Sequence, residues 1–311
     1  MIDCEDDFLP DVDVDKIEDG LYLGNLSAAV ETRVLMRYSI SHILTVDSKP
    51  LPCSITSLPG MAFLYIQVND MIHEDLLSHF EEAIKFIEDG QEKGNVLVHC
   101  FFGVSRSATL VISFLMKKYN LSLDAALHRL RLQRRCVCPN SGFMAQLLLF
   151  QTMGMTLHHT NLGFHLYRLH HAAASVVKSD QISLEEKYQD LVQPDPQLGS
   201  SDLVAYKCRS CRCALISQDC ILPHCPGEAP SWSDSKWSRR RDNLPMCHQG
   251  IFTLPIAWMT DATRTLQGKL LCPKCHAKIG TYSWSAACRC PCDAKISPAF
   301  YFIPSKLDKC L

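Results

Sequence analysis

The sequence predicts an α/β domain with a mainly parallel sheet flanked by helices, followed by a small cysteine-rich domain. Three observations predict it. From residue 17 to 155, apolar runs of strand length alternate with amphipathic segments of helix length, the pattern of a parallel sheet covered on both faces. Beyond residue 205 that periodicity fades, and 12 of the 17 cysteines lie between Cys208 and Cys310. A chain of 311 residues is most simply two domains. The expected organisation is an acidic tail at 1–16, the α/β domain at 17–155, a helical or flexible linker at 156–204, and the cysteine-rich domain at 205–311.

Taken in order, 20–26 (GLYLGNL) alternates apolar residues with turn glycines and reads as an edge strand entering a helix at 27–37. Residues 40–46 (ISHILTV) and 63–68 (FLYIQV) are apolar runs of strand length. Leu76, Leu77, Phe80, Ala83, Ile84 and Ile87 recur at helical spacing. Residues 95–99 (NVLVH) have the composition of a buried strand, and 107–119 is apolar at helix length. Ser122 opens a further helix carrying Leu123, Leu127 and Leu130, and a last one runs over 141–153. Residues 158–177 have some helical character, and Pro194, Pro196, Gly199, Ser200 and Ser201 mark the expected linker, with the boundary near residue 200.

Composition narrows the function classes. With 47% hydrophobic and 21% charged residues the chain can build packed cores. The central apolar run, 108–116, is about half the length of a bilayer crossing, and Asp3, Glu5, Asp6 and Asp7 stand where a secretion signal carries lysines. The expected location is therefore cytoplasm and nucleus, with no membrane partner. A net charge of -2 argues against bulk electrostatic binding to nucleic acid. Seventeen cysteines cannot all pair as disulfides, and short-spaced cysteines in a reducing compartment mean metal more often.

Residues 98–107 read V-H-C-F-F-G-V-S-R-S, after a strand and opening a helix. A cysteine at that turn faces the amides of the following loop and the positive end of the helix, which favour the ionised, nucleophilic sulfur. Gly103 lets the loop turn where a side chain would crowd an anion, and the planar Arg106 fork can bind two phosphate oxygens. Phe101, Phe102, Gly103, Val104, Ser105 and Arg106 thus form a candidate phosphate loop, with Cys100 attacking phosphorus in line. The departing oxygen needs a proton. Asp70, after the 63–68 strand, is delivered to the same sheet edge, whereas Glu74 and Asp75 read as helix N-terminal charges. Ser107 can donate to sulfur when it leaves, and His99 reads as a structural hydrogen-bonding residue.

In the tail, Cys208-x2-Cys211 and Cys272-x2-Cys275 are two chelating pairs, and His224, Cys247, Cys290 and Cys292 offer four further ligands. Eight ligands suit two structural zinc ions. Cys213, Cys220, Cys225, His248, His276 and Cys288 are neighbouring rivals, and spacing leaves open which pair joins which ion.

Residues 17–155 resemble the dual-specificity protein phosphatases of the cysteine-based tyrosine phosphatase superfamily. The resemblance rests on GLYLGNLSAA, on EDLLSHF following Asp70, on VHCFFGVSRSATLVISFLM and on PNSGFMAQLLLF. It implies a tyrosine-phosphatase-like fold acting on phosphotyrosine and phosphoserine/threonine in a phosphoprotein. Cys100 would be the nucleophile, Arg106 the phosphate clamp, Asp70 the acid and Ser107 the thiolate assistant, with no cofactor for catalysis. Phe102 departs from a family that commonly carries Ala there, and its ring would either line the pocket mouth or disturb the loop. YKCRSC, LLCPKC, Trp284 and SPAFYF resemble the zinc-binding YVH-type branch, the dual-specificity phosphatase 12 group. That branch implies a pre-ribosomal particle as partner. Its alternative reading is a zinc-dependent factor for large ribosomal subunit maturation in which phosphatase activity is dispensable or weak. Trp237 with Arg239, Arg240 and Arg241 is the patch that RNA contact would use.

Overall fold

A computed structural model describes residues 13–157, 161–178, 186–196, 204–234 and 245–310. The chain divides into two compact units, Met1–His158 and His159–Leu311.

The first unit is built from β1 (Val14–Glu18), β2 (Leu21–Gly24), α1 (Leu26–Val30), α2 (Thr32–Arg37), β3 (Ile40–Asp47), α3 (Cys53–Thr56), β4 (Ala62–Gln67), α4 (Phe80–Lys93), β5 (Asn95–His99), α5 (Arg106–Tyr119), α6 (Leu123–Gln133) and α7 (Ser141–Thr152). Its sheet has the order β1-β2-β5-β3-β4. The last four strands are mutually parallel, and β1 joins antiparallel to β2.

Two expectations shift here. The segment 20–26 is not at the edge, because β1 covers it; residues 14–16, assigned to an acidic tail, belong to the folded sheet. The single helix at 27–37 is two helices, since Glu31 is extended (φ -93°, ψ 104°). Asn25 caps the first through the Ala28 amide at 2.9 Å, and the Glu31 carboxylate caps the second through the Arg33 amide at 3.2 Å.

Central position explains the composition of β5 and α5. Val96, Leu97 and Val98 are fully buried, and residues 106–116 of α5 are buried on every side. A helix so enclosed is largely apolar on every side, its Thr109 and Ser113 hydroxyls donating to the Ser105 and Leu110 carbonyls, and α5 ends at Asn120 in the left-handed region. Each buried Leu or Ile contributes roughly 1.5–3 kcal/mol. The Ser122 hydroxyl caps α6 and Asn140 caps α7.

From α7, fully buried Gln146 accepts the amides of Leu76 and Leu77 at 2.9 and 2.8 Å and donates to the Glu74 carbonyl at 2.8 Å. One side chain thereby fixes the loop after β4.

The second unit contains α8 (Leu162–Lys178), β6 (Val204–Cys208), β7 (Ala214–Ser217), β8 (Ile251–Phe252), β9 (Gln267–Leu271), β10 (Lys278–Ser283), β11 (Cys288–Arg289), β12 (Lys295–Ile296), β13 (Ala299–Phe302) and β14 (Leu307–Lys309). The strands form sheets β8-β13-β10-β9, β14-β6-β7 and β11-β12. They enclose an apolar core that includes Leu215, Ile279, Trp284, Phe300 and Phe302, and the Trp284 indole donates to the Ala262 carbonyl at 2.7 Å. Helix α8 sends Leu166, Leu169, Ala172 and Val176 into this core. Those residues lie in the segment read from sequence as a linker, and their burial makes α8 part of the second unit. Among the described residues no helix is long and apolar enough to cross a membrane.

Replacing Gln146 with Leu keeps the volume but orphans two buried amides, at a cost of about 2–4 kcal/mol. The melting temperature followed by circular dichroism should fall by several degrees. An unchanged melt would show that the loop does not depend on this side chain.

Candidate active site and metal-ligand clusters

Residues 100–105 join β5 to α5. Cys100 is 1% exposed, and its Sγ accepts from the Gly103 amide at 3.2 Å and the Ser107 hydroxyl at 3.1 Å. The loop faces inward because its carbonyls are taken from outside. The Phe101 carbonyl accepts from the Leu26 amide, the Val104 carbonyl from the Cys138 amide, and the carbonyls of Phe102 and Gly103 from the Arg134 guanidinium. A trans peptide directs N–H opposite to C=O, so the amides of residues 102–105 are turned away from those partners, and that of Gly103 reaches the sulfur, the arrangement of an anion-binding nest. Gly103 has φ +68°, and a Cβ there would lie 2.5 Å from the Gly24 carbonyl oxygen. Phe102 does not crowd the nest. Its ring is 66% exposed and packs edge-on against Phe101, itself half exposed, with centroids 4.7 Å apart.

Arg106 is buried. Its Nη1 donates to Asp47 Oδ1 at 2.8 Å and to the Val68 carbonyl at 3.2 Å, while Nε and Asp47 Oδ2 have no hydrogen-bond partner. A buried ion pair with donor and acceptor capacity left over is poised to take a further polar group. Asp70 is exposed after β4, and its Oδ1 accepts from the Ser105 hydroxyl at 2.7 Å and the Asn140 amide side chain at 2.8 Å. Asp70 is thereby tied to the loop that holds Cys100. A Cβ at Gly142 would sit 1.9 Å from the Ile72 carbonyl oxygen, so the segment after Asp70 packs directly on α7. Asp75 accepts from the Ser78 amide and hydroxyl, as an N-terminal helix charge does.

His99 is fully buried, with Nε2 2.8 Å from the Thr45 hydroxyl and Nδ1 3.4 Å from the Cys100 carbonyl oxygen. Burial pushes its pKa down to about 4, opposed by the Cys100 carbonyl and Asp47 and assisted by Arg106. It is therefore a neutral structural residue near pH 7. Asp47 and Asn140 escaped the sequence reading. Asp47 left a weak signal, a carboxylate closing an otherwise apolar strand.

In the second unit, Cys208, Cys211, Cys272 and Cys275 form one cluster, and His224, Cys247, Cys290 and Cys292 another. Within each, all four ligand atoms lie within 4.8 Å of one another. Sulfur separations are 3.7 Å for Cys208–Cys275, 3.5 Å for Cys211–Cys272 and 3.7 Å for Cys247–Cys290. His224 Nε2 lies 3.2 Å from the Cys290 sulfur and 3.4 Å from that of Cys292. Each set can hold a metal ion, and this settles the grouping that spacing left open. Cys213, Cys220, Cys225, His248, His276 and Cys288 belong to neither set among the described residues. Trp237, Arg239, Arg240 and Arg241 lie outside the described residues.

Residues 21–153 match the family profile of the dual specificity phosphatase catalytic domain. The chain is 35% identical to Dual specificity protein phosphatase MPK-4 of Drosophila melanogaster, over 96% of this chain and 88% of that protein. It is 33% identical to Dual specificity protein phosphatase 12 of Homo sapiens, over 94% and 88%. Identity to Tyrosine-protein phosphatase YVH1 of Saccharomyces cerevisiae is 28%, over 96% and 92%.

The His99 environment sets a pH dependence. Between about pH 4 and its ordinary 6.5 the unfolded chain binds a proton that the folded chain refuses. Its contribution is thus complete above pH 6.5 and lost as pH falls, about 3 kcal/mol in all. Urea unfolding of wild type and His99→Gln should show the wild type losing more stability on acidification. Parallel losses would contradict a buried neutral imidazole.

Proposed function

The chain belongs to the dual specificity phosphatase family, in its YVH-type branch, and we propose that its phosphatase reaction runs through Cys100 as nucleophile. The chain is a protein phosphatase, and its substrates are phosphoproteins. The observation that carries the residue assignment is the Cys100 sulfur accepting from both the Gly103 amide and the Ser107 hydroxyl. A sulfur so held is kept as an electron-rich acceptor at the floor of an amide nest.

In the proposed reaction the phosphate dianion settles on the amides of residues 102–105 and on the Arg106 guanidinium. Sulfur attacks phosphorus in line, the S–P bond forms, and the P–O bond to the tyrosine, serine or threonine oxygen breaks. Asp70 protonates that oxygen. Its Oδ1 is committed to Ser105 and Asn140, so Oδ2 is the oxygen left to carry the proton. Water then attacks phosphorus with the Asp70 carboxylate as base, the S–P bond breaks, and Ser107 donates to the departing thiolate.

The geometry of both tail clusters supports zinc. A tetrahedral ion with legs of about 2.3 Å separates its sulfurs by about 3.8 Å, close to the 3.5 and 3.7 Å found. Four protein ligands at each leave no open coordination position, which supports a structural role. Such ions supply folding energy, roughly 10–16 kcal/mol in small domains.

We further propose a pre-ribosomal particle as partner and residence in cytoplasm and nucleus. The overall charge of -2 conceals an asymmetry: the second unit, residues 159–311, carries eighteen Lys and Arg against thirteen Asp and Glu. A basic second unit supports a polyanionic partner, and this revises the inference drawn from net charge alone. The alternative with dispensable phosphatase activity is not needed.

Turnover of an aryl phosphate tests the catalytic assignment. Cys100→Ser should abolish it and Asp70→Asn should slow it roughly 10²–10⁴-fold, whereas equal rates in all three proteins would dispose of the mechanism. All four tryptophans, Trp232, Trp237, Trp258 and Trp284, lie in the second unit, so their fluorescence reports on it selectively. Treatment with a strong chelator should shift that emission to the red as the unit loosens. Unchanged emission after proven metal removal would rule out a structural ion. For the partner, deletion of residues 159–311 should release the protein from pre-ribosomal fractions, and retained co-sedimentation would count against the basic unit as the contact.

A further inference from the structure

Arg134, the residue that closes α6, has 1% of its side chain exposed. A guanidinium has five N–H donors, and all five are spent here. Nε donates to the Gly103 carbonyl at 2.8 Å. One Nη2 hydrogen goes to the Phe102 carbonyl at 3.2 Å and the other to Asp13 Oδ2 at 2.6 Å. Nη1 donates to Asp13 Oδ1 at 2.6 Å and to Asp15 Oδ2 at 2.7 Å. Burial works against the charge on this group, but Asp13 and Asp15 outweigh it and hold the guanidinium protonated. The cation thus bridges two acids at the start of the first strand and two consecutive carbonyls of the phosphate loop.

We propose that Asp13, Asp15 and Arg134 are positioning residues for phosphoryl transfer, holding the carbonyls of Phe102 and Gly103 outward so that the loop amides stay aimed at the phosphate. Asp13 and Asp15 are then working machinery, and this rests on the assignment of residues 100–105 as the phosphate loop. The geometry is specific. The outward carbonyl of Phe102 belongs to the same peptide as the Gly103 N–H that reaches the Cys100 sulfur. Release of Arg134 would free that peptide to rotate, withdrawing a donor from the sulfur and from the phosphate. The fork also fits closely: a Cβ at Gly103 would come within 2.8 Å of Nη2. A lysine in its place has one point of charge and cannot hold two carbonyls and two carboxylates at once.

The test uses the full-length protein and orthovanadate, an oxyanion whose binding is read by calorimetry without any turnover. The two acids are 50% and 41% exposed, so Asp13→Asn/Asp15→Asn should fold. It should weaken orthovanadate binding and raise KM for an aryl phosphate, each about tenfold or more, and Arg134→Lys should do the same. Wild-type orthovanadate affinity and KM in both variants would overturn the proposal, whatever happens to their melting temperatures. A fall in kcat alone, with KM and affinity unchanged, would overturn it too, because that is the signature of a smaller active fraction. A wild type that binds orthovanadate without turnover would count against the nucleophile assignment instead, and the calorimetric comparison would still decide this one.

Discussion

The capture of four consecutive loop carbonyls from outside is the constraint on which the rest of this active site depends. A buried peptide group must find partners for both its ends. Because the carbonyls of Phe101, Phe102, Gly103 and Val104 are taken by Leu26, Arg134 and Cys138, the amides have one direction left to face. Of these, the Gly103 amide reaches the Cys100 sulfur. The positive φ at Gly103 follows from the same geometry, since any side chain there would collide with the Gly24 backbone. In the proposed reaction anion binding is thus a property of backbone orientation, and the charged side chains refine it.

Around that loop, each functional group is held by an element of a different part of the sheet. The β3 terminus supplies Asp47 to Arg106, the loop after β4 supplies Asp70, and α7 ties Asp70 in place through Asn140 and Gln146. Parallel strands deliver their C-terminal ends to one edge, so topology alone brings residues 47, 70 and 100 together. The second unit obeys a different logic. Its strands are short, and its core joins α8 to them around Trp284 and Phe300, with two ligand clusters stitching together segments distant in sequence.

Local chemistry was legible in the sequence, and long-range chemistry was not. Cys100, Gly103, Arg106 and Ser107 sit within eight residues, so spacing alone suffices to propose a joint role for them. Arg134 lies 31 residues from Gly103 and 121 from Asp13, and nothing local marks its guanidinium as buried. Asp13 and Asp15 read as part of a solvated acidic tail for the same reason. The eight candidate ligands were visible as residue types, yet their grouping spans 67 residues between Cys208 and Cys275 and awaited the fold. Helix α8 was legible as a helix at 158–177 but read as part of a linker, and the burial of its apolar residues in the second unit's core emerges only in the fold. For Phe102 the sequence left open whether the ring lines the pocket mouth or disturbs the loop, and the structure turns it outward against Phe101.

The central claim is that sulfur of residue 100 takes the phosphoryl group. The most direct measurement is mass spectrometry of peptides after rapid acid quenching during turnover of a phosphate monoester, with Ser107→Ala included to slow the second step. The account predicts a single added phosphoryl group on the peptide bearing Cys100, accumulating further in Ser107→Ala. Undiminished turnover with no phosphoryl group on that peptide in either protein would contradict it.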